Sequence, residues 1–134
     1  SCVLELAASL PALDYDERYI KQALLNLIKN SLAAMPEGGT LTIRTEAAGN
    51  EVRILIADTG MGIPEENLPK IFEPYFTTKE TGSGLGLTLV FKIIKEHRGE
   101  ISVKSKEGEG TSFMIILPVP QRETKLIAYG GGRP

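Results

Sequence analysis

The sequence has no tryptophan, one cysteine and one histidine in 134 residues. The lone Cys2 excludes an internal disulfide and a cysteine-built metal centre, and it suits a reducing cytosol. The lone His97 excludes a multi-histidine metal site and most intramolecular triads. An excess of one charge is also missing. Fifteen basic and 17 acidic side chains leave a net −2, which is no electrostatic footprint for nucleic acid. No apolar run approaches the ~20 residues of a membrane span, and no stretch has the layout of a signal peptide. The expected setting is cytoplasmic, with no nucleic-acid or membrane contact by this domain. The first residue is Ser rather than Met, which suggests a fragment of a longer chain. Length and a hydrophobic share of 42% predict one globular domain over residues 1–118. Residues 119–134 lack a pattern and are expected to form a flexible tail.

What the chain does have is glycine, placed in two clusters. Asp58-Thr59-Gly60-Met61-Gly62 follows an apolar run, and Gly82-Ser83-Gly84-Leu85-Gly86-Leu87 leads into a helical pattern. Glycine lets backbone approach a ligand closely. A glycine cluster at a helix start offers free N–H groups to an anion. Asp58 offers only acceptors, which suits the exocyclic amine of a base. Either cluster alone is a common turn. Together, across a polar loop, they suggest a purine at one end and phosphates at the other.

The strongest helical periodicity runs from about Asp16 to Met35, with Ile20, Leu24, Leu27, Ile28 and Leu32 as its apolar side. Asn26 and Asn30 are four apart and share a face. Asparagine is a mediocre helix former, so the pair is either a solvated stripe or a set of amide oxygens for a hard cation such as Mg²⁺. Val3–Ala7 reads as an edge strand. Thr40–Thr45 and Val52–Ala57 read as a hairpin around Ala47–Asn50, the second strand lying mid-sheet because Ile54-Leu55-Ile56-Ala57 is continuously apolar. Pro64-Glu65-Glu66 opens a short helix. Tyr75–Ser83 reads as a lid hinged at glycines, with Lys79 either a plain exposed lysine or a phosphate contact. Leu85–His97 is a second long helix, with Gly99 as its C′ residue and His97 as a capping or packing group. Glu100–Lys106 and Thr111–Leu117 are strands around a glycine turn. These elements predict an α+β fold, a two-layer α/β sandwich. Its mixed, mostly antiparallel sheet of about five strands carries about three helices on one face.

With the Asn helix, the Asp58 cluster, Phe72-Glu73-Pro74-Tyr75-Phe76 and the second glycine cluster in this order, the chain resembles the ATP-binding catalytic domain of bacterial sensor histidine kinases from about Val3 to Pro118. The wording Asn26-Leu27-Ile28-Lys29-Asn30-Ser31 looks closest to the nitrogen-regulation and sporulation branch. The resemblance implies a Bergerat-type fold and roles for particular residues. Asp58 accepts the adenine amine. Gly60, Gly62 and Ile63 close on the base. Asn30 ligates Mg²⁺, and Asn26 lies near the phosphates. Gly82, Gly84, Leu85, Gly86 and Leu87 frame the triphosphate. Phe72 and Phe76 anchor the lid, and Lys29 and Lys79 are the candidate phosphate lysines. Many relatives carry a basic residue where this chain has Ala33. The implied cofactors are ATP and Mg²⁺. The implied partners are a histidine-bearing dimerisation domain and a response regulator. The isolated domain would be a monomer and the full-length protein a homodimer, with this part cytoplasmic even in a membrane-anchored sensor. No phosphoacceptor sits in this chain, so no catalytic residue is assigned. Two rivals share the fold: an ATPase of the gyrase, Hsp90 or MutL kind, and a serine kinase of the anti-sigma type. The first has a glutamate base where this chain has Asn26.

Overall fold

The computed structural model describes residues 2–5, 17–74 and 86–118. It consists of β1 (Cys2–Glu5), α1 (Glu17–Ala33), β2 (Leu41–Ala48), β3 (Glu51–Asp58), a 3₁₀ helix (Glu65–Lys70), α2 (Gly86–Glu96), β4 (Glu100–Lys106) and β5 (Gly110–Pro118). The five strands form one sheet in the order β1-β2-β3-β5-β4. Only β1–β2 is parallel, and the other pairs are antiparallel. The expected α+β sandwich is therefore present, with β3 at the centre and β1 at an edge.

Period-two alternation builds the core side of the sheet. Val52, Ile54, Ile56 and Asp58 of β3 are buried, and they lie opposite Leu117, Ile115, Phe113 and Thr111 of β5. The helices supply Ala23 and Leu27 from α1 and Val90, Ile93 and Ile94 from α2 to the same cluster. The opposite face of the sheet carries no helix among the described residues.

Several boundaries differ from the sequence pattern, each for a local reason. α1 stops at Ala33 although apolar periodicity continues to Met35. Its last turn tightens: the Ala34 N–H is shared between the Asn30 and Ser31 carbonyls, both at 3.1 Å, and Met35 N–H reaches Leu32. The hairpin turn is only Gly49-Asn50, because Glu46, Ala47 and Ala48 continue the ladder opposite Arg53, Val52 and Glu51. The proposed C′ glycine of α2 is displaced by one. Arg98 takes the left-handed conformation, with φ 63°. Its N–H bonds Lys95 O and Gly99 N–H bonds Ile94 O, which is a Schellman end with arginine at C′. Gly99 follows it because a side chain there would meet the Ile116 carbonyl at 2.7 Å.

Candidate functional site

The site is built around the end of β3. Asp58 closes that strand with its side chain on the core face, only 8% exposed. The chain then turns at once, and Gly60 N–H donates to Asp58 Oδ1 at 2.9 Å. This bond fixes the plane of the carboxylate. Oδ2 accepts no hydrogen bond from the described residues, so a buried acceptor at the end of the central strand has capacity left for a donor.

The turn after Asp58 is held on two sides. On the helix side, Met61 N–H donates to the Ala34 carbonyl at 3.0 Å. A Cβ on Gly60 would collide with that same carbonyl, so only glycine permits the approach. On the hairpin side, Gly108 N–H donates to Met61 O at 2.7 Å, and Ile63 N–H donates to Ser105 Oγ at 2.8 Å. Gly62 lies between these ties with φ 73°, and a Cβ there would strike the Lys106 carbonyl. Thr59 adds a tie to the start of β2, where Thr40 N–H donates to its Oγ1 at 2.9 Å. Asp58, Gly60, Gly62 and Ile63 thus form one rigid turn wedged between α1 and the β4–β5 turn.

α1 brings the asparagines towards it. Asn26, Asn30 and Ala34 recur at four-residue steps, so one stripe of the helix runs into the Asp58 turn at Ala34. Asn26 and Asn30 are half-buried, whereas Lys29 is exposed on another side of the helix. Ser31 is 1% exposed, and its hydroxyl has no hydrogen-bond partner among the described residues. Such a group typically costs about 1–3 kcal/mol. No cluster of three or more His, Cys, Asp or Glu side chains occurs among the described residues. A cation here would find neutral amide oxygens from the protein, a donor set that fits Mg²⁺ when phosphates supply the negative charge.

Phe72 packs between α2 and β5. Its ring lies 5.3 Å from that of Phe91 on α2 and 6.4 Å from that of Phe113 on β5. Thr88 Oγ1 donates to its carbonyl at 3.0 Å. Gly86 is the exposed first residue of α2, and Leu87 packs against the core. Lys79, Gly82, Gly84, Leu85, Phe76 and the expected lid lie outside the described residues, as does the tail from 119 onward. His97 is half-buried just past α2, and its Nδ1–H donates to the Ile93 carbonyl at 2.7 Å. It is a packing and capping group.

A shallow groove of about 360 Å³ also crosses this end of the sheet. It takes Asp58, Ser105 and Thr111 from the core face and Ala57, Lys104 and Ser112 from the other. Because it straddles the sheet edge rather than lying under α1, it is a weaker guide to a base site than the Asp58 turn. Ser31, Ser105 and Thr59 were not singled out from sequence. For Ser105 the signal was present: Ile101, Val103 and Ser105 alternate onto the core face, so a polar residue falls at an inward position.

A mixed sheet covered on one side by helices, with its central strand closing at Asp58, defines a two-layer α/β sandwich. The chain belongs to the histidine kinase-, DNA gyrase B- and HSP90-like ATPase family, which matches residues 15–121. Sporulation kinase C of Bacillus subtilis (strain 168) is 43% identical over 104 residues, covering 78% of this chain and 24% of that protein. The chain thus spans about a quarter of that relative's length. Among solved structures, the catalytic domain of histidine kinase ThkA superposes with a TM-score of 0.78 at 37% identity, covering 88% of this chain and 78% of that one. ThkA in complex with the response regulator TrrA gives 0.75 at 33% identity, covering 91% and 35%. Full-length ShkA in complex with AMPPNP gives 0.78 at 30% identity, covering 88% and 25%.

Proposed function

We propose that this chain is the ATP- and Mg²⁺-binding catalytic domain of a two-component sensor histidine kinase, donating the γ-phosphoryl group of ATP to a histidine on a separate dimerisation domain. The phosphoryl group passes onward to a response regulator. The observation that carries this reading is Asp58: a buried carboxylate at the end of the central strand, held by Gly60 N–H through one oxygen while the other accepts from no described residue. That oxygen suits the adenine amine, and Gly60 and Gly62 let backbone close over the ring. Asn30 is the metal ligand of this reading, and Asn26 lies beside the phosphates. Gly82, Gly84, Leu85, Gly86 and Leu87 line the triphosphate, with Lys79 as the candidate lysine contact, since Lys29 is exposed to one side of the Asn stripe. ShkA in complex with a nucleotide analogue and ThkA in complex with a response regulator support it by similarity.

Phosphoryl transfer depends mostly on positioning and charge stabilisation. The chain's part is to hold ATP and leave its γ-phosphate open to a nucleophile from outside. His97 is not that nucleophile. It follows an 11-residue helix whose opposite end is about 16 Å away. Hydrolysis is expected to be slow, because Asn26 occupies the position of the glutamate base in gyrase-type ATPases and an amide does not take a proton. The isolated domain acts as a monomer and the full-length protein as a homodimer, with this domain on the cytoplasmic side. No helix among the described residues is long and apolar enough to cross a membrane.

The test is incubation with γ-labelled ATP, with and without a histidine-bearing dimerisation domain. Acid-labile label is expected on that domain and none on this chain. Acid-stable label would indicate the serine-kinase reading, and brisk phosphate release alone the ATPase reading. Asp58→Asn should weaken ATP binding by about 1–3 kcal/mol, the scale of a charge-assisted hydrogen bond. Unchanged affinity by calorimetry would remove Asp58 from the site.

A further inference from the structure

The hydroxyl of Ser105 is used to capacity. Ser105 Oγ lies 2.8 Å from Ile63 N, 3.0 Å from Gly110 O and 2.7 Å from Thr111 Oγ1. An amide N–H can only donate and a carbonyl can only accept. The single Ser105 proton therefore goes to Gly110, and Thr111 supplies the proton of the third bond. One donor and two lone pairs exhaust a serine hydroxyl. Its orientation is thus fixed from three sides, on β4, by groups from two segments, the turn after Asp58 and the start of β5.

Of these partners, Ile63 belongs to the turn after Asp58. Met61, two residues before it, is already tied at both its N–H and its carbonyl, to Ala34 and Gly108. Gly62 lies between them at φ 73°, against Lys106. Ser105 is the tie on the far side of Gly62. Without it the backbone beyond Gly62 has no such hydrogen bond and is held there only by the packing of the Ile63 side chain on the core, so Gly62 is freer to leave its positive-φ conformation.

We propose that Ser105 is a positioning residue for nucleotide binding. It sets Gly62 and Ile63 in the conformation that closes on the base while touching no ligand itself. This rests on the reading of Asp58, Gly60 and Gly62 as the purine end of an ATP site. It makes the paired ends of β4 and β5 part of that site although Ser105 offers no group to the nucleotide. A flexible turn must be ordered on binding, whereas a fixed one is already in place.

The experiment measures ATP affinity by calorimetry for wild type, Ser105→Ala and Ser105→Thr, well below their unfolding temperatures. Amide exchange at Ile63 is followed in the same samples. Ser105→Ala is expected to weaken ATP binding five- to tenfold and to speed exchange at Ile63 beyond any change in global stability. Ser105→Thr keeps the hydroxyl and should restore both. A merely structural role would lower the unfolding midpoint and leave affinity unchanged in the folded protein, and that result would overturn the proposal. If Ser105→Ala does not fold, Ser105→Cys, a weaker acceptor of similar volume, must show the same direction of change. Absence of ATP binding by the wild type would instead overturn the functional reading itself.

Discussion

At the level of single side chains, the most informative group is one that does nothing visible. Ser31 is buried on α1 with a hydroxyl that has no partner among the described residues, and it forgoes the local bond to a carbonyl one turn earlier that helical serines often make. Ser31→Ala removes the orphan atom and replaces serine by the best helix former. We expect a stability gain of about 1 kcal/mol, measured as a rise in urea midpoint at constant slope. A loss of that size would mean the hydroxyl has a partner in solution. The contrast with Asp58 explains what could be read in advance. An aspartate directly after an apolar strand and before two glycines is an unusual combination, so its position was legible. Serine is common in helices and strands alike, and its type says little until the fold reveals which face it occupies. Lys29 illustrates the opposite limit. Its charge made it a candidate, but helical phase turns it away from the Asn stripe into solvent.

For the elements, existence and type followed from periodicity, whereas their ends depended on hydrogen bonds that periodicity does not encode. α1 ends where its bonds shorten to the three-residue spacing, while the apolar pattern runs on. α2 ends on Arg98 rather than on the neighbouring glycine, because Gly99 is needed one position later against β5. That choice has a cost. A non-glycine residue in the left-handed region is disfavoured by roughly 1–2 kcal/mol. Arg98→Gly should therefore stabilise the domain by about 1 kcal/mol, since glycine is the preferred C′ residue. Thermal unfolding of the variant checks this. A fall in midpoint would show that the arginine side chain contributes more than its backbone costs.

For the whole molecule, two hairpins, an edge strand and helices on one face were foreseeable from turn signals and apolar patterning, whereas the parallel pairing of β1 with β2 was not. Nor was the join between β3 and β5. Hairpin partners are set by a short turn, but these two strands are matched only by their buried faces. The sheet is consequently two local pieces, β2–β3 and β4–β5, sealed along one seam whose partners, such as Ile54 and Ile115, lie about 60 positions apart. Closing so long a loop costs entropy before any seam contact repays it. The seam should accordingly be the rate-limiting event of folding, with its last rung, Asp58 opposite Thr111, at the end where we propose the nucleotide binds. Ile115→Val removes one buried methyl at the seam, worth about 1 kcal/mol. In stopped-flow kinetics that loss should appear mainly in the folding limb, up to about fivefold slower, and hardly in the unfolding limb. A change confined to unfolding would place the barrier elsewhere. Both hairpins can form early while Asp58 still lacks its neighbour across the seam, so the chain gains the ability to hold a nucleotide late in folding, when its two halves meet.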